Sequence, residues 1–172
     1  MKTPMSVSIN MGRSCNFRCS YCFEVKNGAV ESKERLQKKV KERTIEILHM
    51  LSELHELRVE FWGGEPTVYF NDIKDIIYEF IDNDDVSFFL YTNGSLVESF
   101  KNDLIDINNK IGNRLQIQVS YDYHDLENNQ RFQLNKTIEE TDKIVKDAIR
   151  FFDRNNFNFN WMSPYWRLCF TR

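Results

Sequence analysis

Residues 15–23 read CNFRCSYCF and hold three of the chain's four cysteines, Cys15, Cys19 and Cys22. Because the three thiolates lie within eight residues, they can converge on one metal centre. Three soft sulfur ligands suit either zinc or an iron–sulfur cluster. A structural zinc site needs a fourth protein ligand, and the nearest histidine, His49, lies in a helical pattern. A four-iron cluster on three cysteines leaves one iron open to a small molecule, so the spacing favours a cluster over zinc or free thiols.

The composition is that of an ordinary soluble globular domain. The chain has 172 residues, of which 41% are hydrophobic and 28% charged, and a net charge of -3. This charge gives no reason to expect a nucleic-acid partner. No apolar run approaches the roughly 20 residues that span a bilayer, and the N-terminus lacks the apolar core of a signal peptide. We therefore expect a cytoplasmic protein without membrane contact, in which clustered cysteines indicate metal or redox chemistry rather than disulfides.

Strand patterns alternate with helix patterns along the chain. Residues with period-2 or all-apolar patterning predict strands at 6–10, 57–62, 86–91, 115–120 and 157–162. Apolar residues at a 3.6-residue period predict helices from 32 over about 20 residues, at 71–82, from 96 to 107, and at 137–154. This order predicts an α/β fold with parallel strands joined by helical crossovers.

Three local features refine the helix predictions. Ser32 is the expected N-cap of the first long helix, and His49 and His55 are expected along it as solvated side chains without function. Thr137 and Glu140 have the spacing of a capping box at the start of the last helix.

Polar and glycine-rich segments follow each of the first four predicted strands. The cysteines follow the first, residues 63–66 (GGEP) the second, Thr92 and Asn93 the third, and Ser120 and Asp122 the fourth. The paired glycines permit close approach of the backbone to a ligand, although such a segment is also typical of a plain strand-to-helix turn. Sites in parallel α/β sheets collect at the carboxyl ends of the strands, so we expect these segments to meet.

The cysteine spacing, with Tyr21 before the third cysteine, resembles the signature of the radical S-adenosylmethionine (radical SAM) superfamily, and GGEP at residues 63–66 resembles that family's second motif. The resemblance extends from the first strand to the fifth. It implies a partial, incomplete TIM-type barrel, with about five β/α units where the family usually has six. We therefore expect residues 1–172 to form a single radical SAM core domain that is abbreviated at its C-terminus.

The resemblance also implies the cofactors. Cys15, Cys19 and Cys22 would ligate a [4Fe-4S] cluster whose fourth iron binds S-adenosylmethionine (SAM). In the family, reduction then cleaves SAM to methionine and a 5′-deoxyadenosyl radical, which abstracts hydrogen from the substrate. A reductant such as flavodoxin or ferredoxin is the implied electron donor.

The remaining site residues are carried over from the family's motifs. Gly63, Gly64 and Glu65 would meet the SAM amino group, and Tyr21 by its side chain and Phe23 by its backbone would lie against the adenine. The segment beginning at Thr92 and Asn93 resembles the family's TNG motif. Ser120 and Asp122 resemble an S-x-D motif near the SAM ribose and carboxylate. Without the resemblance, these last four residues would indicate only a turn and a solvated strand end.

The sequence leaves the substrate open. The strings CNFRCSYCF and FWGGEP look most similar to sulfatase-maturing and peptide-modifying members, so a peptide or protein substrate ranks first. The short chain is instead similar to 7-carboxy-7-deazaguanine synthases and glycyl-radical activases, and its Cys-Phe and Asn-Gly-Ser segments resemble viperin-like nucleotide-modifying members. A hypothesis from another class is a truncated, non-catalytic iron–sulfur or zinc module that binds a partner.

The C-terminal residues 161–170 are rich in apolar side chains. We expect them to cover the open edge of the barrel, to dock a partner or a second subunit that completes it, or to pack beneath it. Cys169 stands alone in this segment, so no auxiliary cluster is expected.

Overall fold

Five parallel strands form one sheet in the order β1-β2-β3-β4-β5. The computed structural model of the chain describes residues 2–26, 38–122 and 131–162. The strands are β1 Thr3–Asn10, β2 His55–Trp62, β3 Val86–Thr92, β4 Leu115–Ser120 and β5 Asn158–Met162. The predicted α/β class and the five parallel strands are confirmed.

Helices lie between successive strands, as right-handed crossovers in a parallel sheet require. They are α1 Phe23–Lys26, α2 Lys38–Leu54, α3 Phe70–Glu79, α4 Val97–Ile111 and α5 Ile138–Arg154. Thr137 caps α5, and its side chain and that of Glu140 form the predicted capping box. The strands and helices together form an open arc, which is a partial TIM-type barrel.

Side chains on alternate sides of the strands have opposite character. Val59, Phe61, Phe88 and Ile117 are buried in one core that also contains buried residues of α3, including Ile73. The strand positions whose side chains lie on the opposite face of the sheet carry Ser8, Glu60, Trp62, Tyr91 and Ser120, and these residues line a cavity. The sheet therefore has one face committed to packing against helices and one that presents polar and aromatic groups.

The strand register brings the carboxyl ends of the strands to one edge of the sheet. Asn10 pairs with Trp62, Thr92 with Val119, and Ser120 with Met162. The segments that follow β1, β2, β3 and β4 therefore start at the same edge.

Several predicted element boundaries are wrong. β1 begins at Thr3 instead of residue 6, α3 ends at Glu79 instead of residue 82, and α4 continues to Ile111 instead of ending at residue 107. His55 begins β2 instead of ending the preceding helix, because its backbone joins the ladder opposite Thr3, and its Nδ1 lies 2.8 Å from the Thr3 hydroxyl. Ser32, Cys169 and all but the first two residues of the apolar segment 161–170 lie outside the described residues. No helix in the described ranges is long and apolar enough to cross a membrane.

Candidate functional site

A cavity of about 390 Å³ opens at the carboxyl edge of the sheet. This volume is within the range of small-molecule sites. All but two of the predicted site residues line this cavity. The residues that line it are Cys15, Cys19, Tyr21, Cys22, Gly63, Gly64, Glu65, Thr92, Asn93 and Ser120. Segments that are more than a hundred residues apart in the chain thus share one site.

Phe23 and Asp122 are the two predicted residues outside the cavity lining. Phe23 begins α1, and its side chain is 72% exposed. Asp122 lies behind the cavity wall, where its carboxylate accepts a hydrogen bond from the Tyr21 hydroxyl at 3.2 Å. The Asp122 carboxylate therefore contacts Tyr21 and also lies 3.9 Å from Arg131 Nε.

The three cysteines are free thiols in a partly dehydrated setting. Cys19 is buried, and Cys15 and Cys22 are half-buried. Burial raises the pKa of Cys15 to about 12, and the nearby Glu65 charge acts in the same direction. Burial also raises the pKa of Cys19, although the Arg131 charge opposes this. Thiols in such an environment become thiolates when a cationic metal centre compensates their charge.

The three cysteines can be compared with the ligand sets of two kinds of metal centre. Within the described ranges, no three His, Cys, Asp or Glu side chains are arranged to hold a single metal ion. A single zinc draws all its sulfur ligands to about 2.3 Å, whereas in a four-iron cluster each thiolate binds a different iron. Three thiols that line one cavity match the set of three cysteine ligands that a four-iron cluster uses.

Residues 11–22, which connect β1 to α1 and are called the cysteine loop below, are held against the end of β2 by backbone hydrogen bonds. Gly64 donates its N–H to the Gly12 carbonyl at 2.9 Å, and Glu65 donates to the Ser14 carbonyl at 2.8 Å. These bonds continue beyond the last paired residues of β1 and β2, so the loop leaves the sheet in a fixed direction.

This approach is too close for a side chain at Gly63 or Gly64. A Cβ at Gly64 would lie 2.4 Å from the carbonyl oxygens of Arg13 and Ser14. A Cβ at Gly63 would lie 2.3 Å from the Gly12 oxygen, and Gly63 has a φ of +142°. The GG pair therefore permits the close contact of the GGEP segment and the cysteine loop.

The Glu65 side chain is a buried acceptor for protein groups. Its carboxylate accepts hydrogen bonds from the Thr67 N–H at 3.1 Å and hydroxyl at 2.5 Å, from the Thr92 hydroxyl at 2.8 Å, and from the Asn93 N–H at 2.7 Å. Burial raises the pKa of Glu65, and these hydrogen bonds oppose the shift. Glu65 thus ties the end of β2 to the end of β3.

Asn93 extends the same network to the cysteine loop. Its Nδ2 donates to Asn16 Oδ1 at 2.9 Å, and Asn16 Nδ2 donates to the Ser95 hydroxyl at 2.7 Å. The Ser95 N–H donates a hydrogen bond to Asn93 Oδ1 at 2.9 Å. The predicted site residues Thr92 and Asn93 therefore use their side chains to join the three segments that form the cavity.

Arg131 is a site residue that the sequence analysis missed. This buried guanidinium lines the cavity, donates from Nη1 to the Tyr21 hydroxyl at 2.8 Å, and lies with Nε 3.9 Å from the Asp122 carboxylate. Its guanidinium carbon is 5.7 Å from the centre of the Phe17 ring. No sequence motif around Arg131 identifies it as a site residue. It reaches the site because the β4–α5 connection, which contains it, packs against the cysteine loop.

Backbone hydrogen bonds join the β4–α5 connection to the cysteine loop. Arg18 donates its N–H to the Phe132 carbonyl at 2.9 Å, and Leu134 donates to the Asn16 carbonyl at 2.9 Å. Between them, Phe17 and Gln133 form an antiparallel bridge. This short antiparallel pairing of residues 16–18 with residues 132–134 thus places Arg131 near the cysteines.

Ser8, Glu60, Trp62 and Tyr91 were also missed, although they line the same cavity. The period-2 alternation of β1, β2 and β3 is the signal that could have identified them, because it separates the apolar positions from these four.

Comparison with known proteins identifies the family. The sequence model described as "Radical SAM superfamily" matches residues 9–163, which is most of the chain. An uncharacterised protein of Archaeoglobus fulgidus is 36% identical over 90 residues, covering 52% of this chain and 20% of that protein.

Two further relatives have functional names. The radical SAM cyclopropyl synthase TigE of Paramaledivibacter caminithermalis is 29% identical over 108 residues, which covers 54% of this chain and 22% of TigE. The S-adenosylmethionine-dependent nucleotide dehydratase of Flammeovirga pacifica is 37% identical over 67 residues, or 37% of this chain and 22% of that protein. The chain therefore spans about a fifth of the length of the curated relatives it matches.

Solved structures share the fold. The structure described as "Native anSMEcpe with bound AdoMet and Kp18Cys peptide" superposes with a TM-score of 0.72 at 24% identity, covering 93% of this chain and 43% of that one. The structure described as "Native anSMEcpe with bound AdoMet" gives a TM-score of 0.69 at 21% identity, covering 93% and 44%.

Proposed function

The chain belongs to the radical SAM superfamily, and on that premise we propose that it cleaves SAM reductively and abstracts hydrogen from a peptide or protein substrate. The observation that carries the proposal is the meeting of Cys15, Cys19, Cys22, the GGEP segment and Arg131 in one cavity. The alternative of a non-catalytic module uses the cysteines but leaves the rest of this cavity without a role.

Cys15, Cys19 and Cys22 would hold a [4Fe-4S] cluster, because they are soft ligands that share one partly dehydrated cavity. When bound, this cluster supplies the electron that splits SAM into methionine and the 5′-deoxyadenosyl radical. Arg131 adds a fixed positive charge near Cys19, which partly compensates the negative charge of thiolate ligands. The chain's own task is to bind the cofactors, orient them and keep water out.

Two sets of cavity-lining groups suit the two charged groups of the SAM methionine part. The backbone carbonyls of Gly63 and Gly64 would accept hydrogen bonds from its ammonium group. We assign this contact to the backbone because the Glu65 carboxylate already accepts four hydrogen bonds from protein groups. The Arg131 guanidinium and the Ser120 side chain would bind the carboxylate.

Tyr21 would lie beside the adenine. Its hydroxyl is fixed by Asp122 and Arg131, so the orientation of its ring in the cavity wall is restricted. Phe23 would contribute by its backbone alone, because its side chain faces away into solvent. Asp122 acts in this proposal as a positioning residue for Tyr21.

The polar face of the sheet is the expected substrate side. Glu60, Ser8 and Tyr91 lie below the cofactor-binding segments and line the same cavity. A peptide substrate is supported by the match to the structure with bound AdoMet and Kp18Cys peptide. A nucleotide is the second candidate, and it is supported by the match to the nucleotide dehydratase of Flammeovirga pacifica. We further propose a flavodoxin or ferredoxin as reductant and the cytoplasm as the compartment, since thiols stay reduced there.

Deuterium transfer can reveal the substrate class even while the individual substrate is unidentified. The reconstituted, dithionite-reduced protein is given SAM together with either a peptide pool or a nucleotide pool from cells grown on deuterated medium. Mass spectrometry of 5′-deoxyadenosine then shows which pool donates deuterium. We expect deuterium from the peptide pool. Transfer from the nucleotide pool alone would replace the peptide proposal with the nucleotide one.

A further inference from the structure

The outer face of α2 carries an apolar stripe that the described part of the fold leaves exposed. Its members are Val40 (48% exposed), Ile47 (42%), Met50 (63%) and Leu54 (68%). The spacing of seven residues from Val40 to Ile47 to Leu54, with Met50 between, keeps them on one side of the helix. We call these four residues the α2 stripe. It extends over about 21 Å of helix.

The opposite face of α2 is firmly attached to the domain. Leu48 and Ser52 are buried, and Lys41 forms ion pairs with Asp72 at 2.9 Å and with Asp75 at 2.6 Å on α3. The buried residues and ion pairs of this face therefore fix the rotation of α2 about its axis. The α2 stripe faces outward because of this packing, and it contributes little to the core.

The charges beside the α2 stripe change sign along the helix. On the flank that begins with Lys39, Glu46 and Glu53 follow at intervals of seven residues, and the first half also carries Glu42, which pairs with Lys38 at 3.7 Å. Arg43 also bridges to Glu46 at 2.6 Å within the helix. Lys39 and Glu53 are separated by fourteen residues and therefore lie on the same flank, one near each end of the stripe.

We propose that the α2 stripe is a homodimer interface in which α2 packs antiparallel against α2 of a second copy. A two-fold axis near Ile47 would bring Val40 of each copy against Leu54 of the other. The same rotation would bring Lys39 of each copy beside Glu53 of the other. The apolar pattern and the Lys39–Glu53 pairs are thus complementary to themselves, as a two-fold interface requires. Glu46 of each copy would face its counterpart near the axis, where Arg43 of the same helix pairs with its charge.

This self-complementarity favours a second copy over an unrelated partner. A helix from another protein would need acidic residues opposite Lys39 and basic residues opposite Glu53, which α2 itself supplies when it is reversed. Four apolar side chains per copy make a contact below the size of standard stable interfaces. The dimer is therefore weak, and its population depends on protein concentration.

Sedimentation velocity of the full chain tests the proposal, with a thiol reductant present so that cysteine cross-links do not contribute. Over about a hundredfold range of concentration, we expect the wild-type weight-average sedimentation coefficient to rise from the monomer toward the dimer. Ile47→Glu should hold the protein as a monomer at every concentration. Circular dichroism should show the wild-type helix content for this variant, because Ile47 is outside the core.

Charge reversal distinguishes the proposed geometry from any other use of the stripe. Lys39→Glu and Glu53→Lys should each weaken self-association, because like charges then face each other. An equimolar mixture of the two variants should associate at least as well as wild type, because every reversed charge faces its opposite. Lys143→Glu, the same change at an exposed position on α5, should have no effect.

The result that would overturn the proposal is a wild-type chain that stays monomeric throughout the concentration range. Self-association that survives Ile47→Glu would do the same, and so would failure of the mixture to restore it. Coverage of the stripe by residues 27–37 or by a different protein would appear as the monomeric outcome.

Discussion

The cysteine loop is held from two sides, and the two sides are built differently. On the β2–β3 side, the glycines at 63 and 64 permit direct backbone contact, and the Glu65 carboxylate closes the junction. On the β4–α5 side, contact depends on a short bridge at Phe17 and on the long side chain of Arg131. The first side fixes where the loop lies, whereas the second adds a charge and a ring orientation. Substitutions on the two sides of the cysteine loop should therefore have different effects.

Glu65→Ala should give the largest effect, because it leaves buried donors of Thr67, Thr92 and Asn93 without their acceptor. Each unsatisfied buried donor costs about 1–3 kcal/mol, so we expect a loss of about 3 kcal/mol or more in the free energy of unfolding. Urea denaturation measures this loss. Glu98→Ala, at an exposed glutamate of α4, is the control and should change stability by less than about 0.5 kcal/mol. Equal effects in the two variants would contradict the role of Glu65.

Gly64→Ala should separate the cysteine loop from β2. The added Cβ meets two backbone oxygens at 2.4 Å, and backbone cannot rotate away as a side chain can. We expect the reconstituted variant to retain only a small fraction of the iron that the wild-type protein retains. Gly112→Ala is the control for backbone strain alone, because it adds a Cβ at a φ of +53° and a ψ of −130° in open space. It should cost about 1–3 kcal/mol of stability but leave the iron content full.

Arg131→Gln should affect SAM binding more than cluster retention, because Arg131 contributes charge while the loop stays held on its other side. Loss of a charge-assisted hydrogen bond of about 2 kcal/mol corresponds to about thirtyfold weaker SAM binding. Arg131→Lys should lie between wild type and Arg131→Gln, since it keeps the charge but loses the planar fork. Calorimetric titration of the reconstituted variants with SAM measures this. Unchanged affinity in Arg131→Gln would remove Arg131 from the SAM site.

Tyr21→Phe should have the smallest effect of the series. It removes only the hydroxyl that bonds to Asp122 and Arg131, and it keeps the ring. We expect a loss of about 1 kcal/mol in the free energy of SAM binding, with iron content unchanged. Tyr21→Ala removes the ring as well and should weaken SAM binding further. If the two substitutions have the same effect, the ring makes no contact with SAM.

The sequence predicts the β2–β3 side well because its determinants are local. Each strand pattern ends directly before the segment that forms the site, and the glycines that permit close approach stand in that segment. The positions of Cys15, Gly64 and Thr92 at one sheet edge follow from parallel topology alone. The parallel α/β order is predictable for the same reason, whereas the partial barrel was expected from the resemblance to the radical SAM family.

The β4–α5 side and the function of the Glu65 side chain could not be predicted in this way. Arg131 reaches the site through hydrogen bonds between segments more than a hundred residues apart, and no local pattern encodes that return. A motif indicates that Glu65 matters but not where its carboxylate points. The extension of β2 to His55 was missed because pairing with β1, rather than local propensity, decides where the strand begins.

Formation of 5′-deoxyadenosine tests the central claim most directly. The protein is reconstituted anaerobically with iron and sulfide, reduced with dithionite in the presence of SAM, and assayed for the product. We predict about four irons and four sulfides per chain and 5′-deoxyadenosine formation that disappears in Cys15→Ala, Cys19→Ala and Cys22→Ala. One zinc per chain without sulfide, or product that persists in the cysteine variants, would contradict the account.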